Sequence, residues 1–253
     1  MDFDTIQLAI LAVAAFATST LSGMLGLAGG MTLLAVLLLF YEPLVAIPLH
    51  GVIQLVSNGS RAWIQRKHVE GELVGWYSLL LLPMGFAGLA IAKQLSPPLA
   101  RAAIGLFVLA ATWVPGLMLL GAHPERLQRN RRFLLLGGVV GLFNTTVGAT
   151  GPLTAPFFLN LGLGRQQVIG TMAACQALGH LAKLFVFGAA GFAFFSHSLL
   201  LGLLAIFVVL GTFVGSQLLD RVSERGFTWL YKAVLTVLAL YLVVSELPAL
   251  FAR

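Results

Sequence analysis

The chain has 253 residues, 59% of them hydrophobic and only 9% charged, with a mean hydropathy of +0.97. A soluble domain carries roughly 25% charged residues. Here the apolar residues form long blocks parted by short charged loops, which excludes a water-soluble domain and favours membrane helices over a β-barrel. The net charge of +6 comes from bases in those loops, where they set orientation and do not imply a nucleic-acid partner. A single cysteine, Cys175, excludes an intramolecular disulfide or a cysteine metal cluster.

In chain order, Met1-Asp2-Phe3-Asp4 has acids and no base, unlike the positive start of a signal peptide, and is expected to be a mature terminus. Apolar segments then run Ile6–Tyr41, Leu44–Gln65, Leu73–Leu95 and Leu99–Leu120, and, beyond the polar stretch His123–Arg132, Phe133–Leu163, Val168–Phe195, Leu199–Leu219 and Phe227–Leu247. Each half opens on one long segment followed by three of ordinary span. The expected organisation is a first membrane repeat, 1–122, a cytoplasmic basic linker, 123–132, and a second repeat, 133–253.

A glycine cluster interrupts both long segments: Gly26-Leu27-Ala28-Gly29-Gly30 in the first and Gly148-Ala149-Thr150-Gly151-Pro152 in the second. At an offset of 122 residues Gly26 falls on Gly148, Gly29 on Gly151, Gln54 on Gln176 and Arg61 on Lys183. Glycines weaken helices, and irregular backbone at membrane depth persists where protein or a watery cavity satisfies it. Crossing the hydrocarbon takes about 20 helical residues. A long segment broken at its glycines gives two arms of about 15 residues, each reaching roughly 22 Å. A hairpin with its tip at depth therefore fits, and it leaves three crossings per half.

An odd number of crossings inverts one half against the other. With the arginine-rich linker in the cytoplasm, the inner side collects Arg66, Lys67, Arg126, Arg129, Arg131, Arg132, Arg165, Arg221, Arg225 and Lys232, against Lys93, Arg101 and Arg253 outside. This bias favours an all-α polytopic membrane protein of inverted repeats, with a parallel arrangement of the halves as the alternative.

Two opposed tips form a substrate site of the kind found between transporter repeats. Helix amino termini behind the glycines favour anions. Neutral donors stand near both tips: Ser19, Thr20, Ser22 and Thr32 at the first, and Asn144, Thr145, Thr146 and Thr150 at the second. A competing role for each hydroxyl is a bond to the carbonyl one turn back. All 9 acids fall at termini or segment ends, whereas Arg61 and Lys183 lie within helices. Buried bases without buried acids point to an anion. The expected substrate-binding set is Gly26, Gly29, Gly30, Gln54, Asn144, Thr145, Thr146, Gly148, Thr150, Gly151, Gln176 and Lys183. His50 and His180 are candidates for a proton relay, against the structural role that membrane histidines often play.

The second cluster with Pro156, the continuation Leu161-Gly162-Leu163 and Gly170-Thr171-Met172-Ala173-Ala174, and the loop Trp63-Ile64-Gln65-Arg66-Lys67-His68-Val69 resemble the TauE/SafE sulfite exporter family of membrane permeases. In the first cluster Ala28 replaces a usual glycine, and no proline lies between Met31 and Phe40. The resemblance implies a multi-pass protein of the cell inner (plasma) membrane that carries sulfite, an organosulfonate or a related organic acid. Its partners would be a small anion and the lipid bilayer, with room for a homo-oligomer and without a cofactor, a metal or a nucleic acid. A gradient-driven secondary transporter working by alternating access is the leading expectation. The alternatives are an anion channel and an intramembrane hydrolase, the latter disfavoured because no Gly-x-Ser-x-Gly elbow and no acid to orient a histidine are present.

Overall fold

The computed structural model describes residues 5–25, 29–116, 126–158, 161–218 and 224–251. Among these residues every regular element is helical. Gly26, Ser22's side chain and residues 123–125 of the polar stretch lie outside them.

The first long segment forms α1 (Thr5–Leu25) and α2 (Gly29–Phe40), followed by α3 (Pro43–Ile64). The next segment gives α4 (Gly71–Ser78) and α5 (Leu81–Ala92), and then comes α6 (Pro97–Trp113). The second half runs α7 (Arg129–Thr146), the single turn α8 (Gly151–Thr154) with a 3₁₀ turn Ala155–Phe158, α9 (Arg165–Ala189), α10 (Ser198–Leu218), α11 (Glu224–Val244) and a short α12 (Leu247–Phe251). Three stretches, Arg165–Ala189, Phe194–Gly215 and Lys232–Phe251, are long and apolar enough to cross a membrane, and the bent pair α4–α5 adds a fourth. Large exposed side chains such as Phe185, Ile206, Phe213 and Val237 clothe the outside of the bundle, as a lipid solvent demands.

The arms of the long segments are unequal, which corrects the expectation of equal halves. With 21 residues α1 rises about 31 Å, whereas α2, with 12 residues, rises about 18 Å. In the first segment the glycines stand past the midpoint, so the outgoing arm takes most of the length. In the second half the returning arm is shorter still. Pro156 cannot donate to the Pro152 carbonyl four residues back, so α8 stops after one turn and continues as 3₁₀. That arm runs back along α7: Phe158 packs edge-on against Phe133 at 5.0 Å, and Arg132 Nη2 donates to the Pro156 carbonyl oxygen at 3.0 Å. The segment is thus a hairpin. Arg132, expected on a cytoplasmic loop, is buried at the foot of this hairpin.

Proline also explains why the span expected over Leu73–Leu95 is bent by 41°. Pro83 has no N–H for the Leu79 carbonyl and its ring crowds that oxygen, so the chain kinks at Leu79–Leu80, between α4 and α5.

Helix directions follow from which residues meet. On α3 and α9, Gly51 faces Lys183 while Gln65 faces Gly170, so the two run antiparallel. The same holds for α6 and α11, where Arg101 bonds Glu246 at 3.0 Å and Trp113 Nε1 donates to Thr236 at 2.9 Å. By contrast α1 runs parallel to α10, with Gly211 against Phe16 and Gly215 against Thr20. Likewise α7 runs parallel to α4 and α5, with Gly137 against Tyr77 and Gly141 against Leu81. A Cβ at Gly137, Gly88, Gly211 or Gly215 would overlap a neighbouring carbonyl oxygen, so these glycines set the close approach of the pairs.

Candidate anion site at the glycine breaks

The antiparallel pair α3–α9 carries a polar face on each helix at one-turn spacing: His50, Gln54 and Asn58 on α3, and Gln176, His180 and Lys183 on α9. Residues four apart share a helix face. Gln54 and Gln176 stand near the middle of their helices. Against this pair come the two breaks in the long segments, and together they enclose a cavity lined by Gly30, Met31, His50, Gln54, Asn58, Ala149, Thr150, Gly151, Gln176 and His180. The space left to the centres of water-sized molecules is about 30 Å³, room for roughly two waters or one compact ion.

The cavity walls are held by side chains that bond the breaks themselves. His50 Nε2 lies 2.8 Å from the Gly30 carbonyl oxygen. Lys183 Nζ donates to the Gly148 carbonyl oxygen at 2.8 Å and is 1% exposed. Gly148 has φ +92°, and a Cβ there would meet Leu34 and Ile47, so both the backbone and the space require glycine. Gly30 is constrained from the other side: its Cβ would sit 3.2 Å from the Gln54 amide. The Gln54 amide is in turn met by Asn58 Nδ2 at 3.4 Å. His50 and His180 face one another edge-on, ring centroids 5.7 Å apart. Among the described residues no carboxylate lines the cavity.

The expected ligands separate into three groups. Gly30, Gln54, Thr150, Gly151 and Gln176 line the cavity, together with both histidines. Gly29 opens α2 next to it, while Gly148 and Lys183 brace its wall from behind. Asn144, Thr145 and Thr146 do not line it. Both hydroxyls meet the carbonyl one turn back, Thr145 Oγ1 at Gly141 at 3.1 Å and Thr146 Oγ1 at Leu142 at 2.8 Å, and share that hydrogen with α5, at Gly85 at 2.9 Å and Gly88 at 3.0 Å, so they fasten α7 to α5. Asn144 is buried beside Gly179 of α9. At the first break Thr20 makes the one-turn bond to Phe16 at 2.9 Å. Arg61, matched to Lys183 by the offset, stands in the last turn of α3 and is only partly buried. Met31, Asn58 and Ala149 complete the lining and are not among the expected ligands. Asn58 continues the spacing of His50 and Gln54, a signal open to inspection, whereas Met31 carries none.

A helical membrane protein with a polar cavity where two broken segments meet belongs to the class of polytopic membrane transport proteins. The family model described as Sulfite exporter TauE/SafE matches residues 11–242, so the chain belongs to the TauE/SafE sulfite exporter family. It is accordingly a multi-pass membrane transporter of sulfur anions and not an enzyme. No curated protein and no solved structure gives a significant match.

Proposed function

We propose that this chain carries a compact sulfur oxyanion, sulfite or a small sulfonate, in the cavity between the two glycine breaks. The observation that carries this reading is the chemistry of the lining: two glutamine amides, an asparagine, a threonine, two imidazoles and glycine backbone, with the Lys183 amine behind them and no acid. Such a set solvates an anion and offers a cation no carboxylate. The amino terminus of α2 adds its partial positive charge beside an unpartnered His180 Nδ1. The volume favours a three- or four-oxygen head over an anion with a long organic tail.

For the mechanism, 1–122 and 133–253 are inverted repeats joined by the linker 123–132, and one rocks against the other to alternate access. Support comes from the packing. Helices matched by the offset, α3 with α9, run antiparallel, as do α6 and α11, the last long helix of each half. The unlike pairs are exchanged between halves, α1 on α10 and α7 on α5, and both run parallel. A two-fold axis in the membrane plane generates this set of directions.

The test is a thermal-shift and calorimetric screen of the purified full chain against sulfite, sulfate, sulfoacetate and taurine. A ligand at a hundred times its Kd stabilises by about 2.7 kcal/mol, which a melting curve resolves. Gln54→Ala and Gln176→Ala each lose a bond to a charged ligand, about 1.5–3 kcal/mol, and are expected to bind at least tenfold more weakly. Lys183→Met is expected to bind more weakly still. If all three variants bind like the wild type, the cavity is not the site. Trans-stimulated counterflow in proteoliposomes then separates a carrier from a pore.

A further inference from the structure

The hydrogen-bond geometry of the two histidines adds a step that rests on the anion site proposed above. A carbonyl oxygen only accepts, so the 2.8 Å contact of His50 Nε2 with Gly30 puts a hydrogen on Nε2. In a neutral ring Nδ1 then carries the lone pair. That Nδ1 has no hydrogen-bond partner, and neither has Nδ1 of His180. Both residues are more than nine-tenths buried, at 1% and 7% exposure, and both line the same cavity. A proton-accepting ring nitrogen of His50 and an unpartnered ring nitrogen of His180 therefore share one small polar space.

The charges around them are one-sided. The Lys183 amine of α9 acts on both rings, and His50 acts on His180. From α2 the facing groups are Gly30 and Met31; from the turn between α7 and α8 they are Ala149, Thr150 and Gly151, with the Gly148 backbone, which holds the Lys183 amine, also acting on the His50 ring; and from α3 and α9 they are the neutral amides. A proton on either ring puts a positive charge in the cavity close to the Lys183 amine, and among the described residues no carboxylate lines the cavity to offset it. An anion in the same space removes that penalty, and the protonated ring in turn gives the anion a charged donor. Coupling of this kind is reciprocal: each ligand strengthens the other by the same factor.

We propose that the anion binds together with one proton held on the His50–His180 pair, so that the transporter moves anion and proton as a unit. The proton comes from the aqueous phase on the loading side, forms an N–H bond at a free Nδ1, and is given up to water on the opposite side when the anion is released there.

Calorimetry of sulfite binding to the full chain tests this, run in buffers of different ionisation enthalpy above the second ionisation of sulfurous acid. Free sulfite then brings no proton, and the slope of heat against buffer enthalpy gives the protons taken up. The wild type is expected to take up close to one proton per sulfite. His180→Gln, which breaks no bond made by Nδ1, is expected to bind at least tenfold more weakly with most of that uptake gone, and His50→Gln to behave alike. Sulfite binding without proton uptake overturns the coupling and leaves the anion site standing. Uptake near one proton in the double variant also overturns it, because the proton then sits on the anion or on Lys183. Absence of sulfite binding in the wild type removes the anion site itself and this inference with it. Wild-type proteoliposomes loaded with a pH-sensitive dye give a readout free of any variant: an inward sulfite gradient is expected to acidify the lumen.

Discussion

Gly148 concentrates two demands that are usually met by separate residues. Its φ of +92° lies in the left-handed region, and its missing Cβ leaves space that Leu34 and Ile47 fill, while its carbonyl oxygen takes the Lys183 amine. Gly162 offers an internal control, with φ +70° and nothing near its missing Cβ. An alanine at Gly162 is expected to cost about 1 kcal/mol from backbone strain alone. At Gly148 the same change adds overpacking of about 1–3 kcal/mol and displaces a buried hydrogen bond. The two melting temperatures should therefore differ clearly, with Gly148→Ala much the lower. Equal shifts would mean that the break relaxes freely and does not brace the cavity. At this scale the site was legible where a residue type and a helical spacing coincided, as for Gln54, Gln176 and His180. It was not legible for Asn144, Thr145 and Thr146: a hydroxyl or amide near a break looks the same in sequence whether it faces a cavity or a neighbouring helix, and α5 supplies the carbonyls that decide the matter.

Helices meet at one end of the bundle through Glu70, just before α4. Its carboxylate accepts from Arg129 of α7 at 3.2 Å and from Gln167 of α9 at 2.6 Å, and its backbone N–H donates to Thr171 at 3.0 Å. The loop after α3 is thereby tied to the first turns of both α7 and α9, next to Gly170, where α9 crosses Gln65. Exposed and half-exposed pairs contribute about 0.2–1 kcal/mol each, enough to bias a closed end without fixing it. Glu70→Ala is therefore expected to lower the melting temperature only slightly. It should raise the reactivity of a cysteine placed at Thr150, which lines the cavity, several-fold towards a small thiol reagent applied from that end. Unchanged labelling would show that Glu70 ties helices without closing the path. The helices themselves followed from long apolar runs. Their interruptions depended on prolines and glycines whose effect is local: Pro83 bends α4 against α5, and Pro152 with Pro156 shortens the second returning arm. In the first run the unequal arms follow from a glycine cluster standing past its midpoint.

Across the whole molecule the directions of the helices decide what the two breaks can do together. If α3 and α9 ran parallel, as in two halves of the same orientation, both long segments would dip from one face, and their tips would line different levels. Running antiparallel, the pair holds Gly30 and the Ala149–Gly151 turn at one space, with Gln54 and Gln176 between them. The charge count favours the inverted reading proposed above because short basic loops gather on one side; it says nothing of which helices pair, since α1 with α10 and α7 with α5 depend on glycines meeting carbonyls. The orientation can be tested on positions just beyond the two matched helices. Lys67 follows α3 and Ser196 follows α9, and both are exposed. In a background with buried Cys175 replaced by alanine, single cysteines at these positions are labelled in intact cells by a reagent that cannot cross the membrane. Inverted halves require opposite results, with the Ser196 position labelled from outside and the Lys67 position protected until the cells are opened. Parallel halves require the same result at both. That outcome would remove the shared cavity, because one tip could no longer reach it.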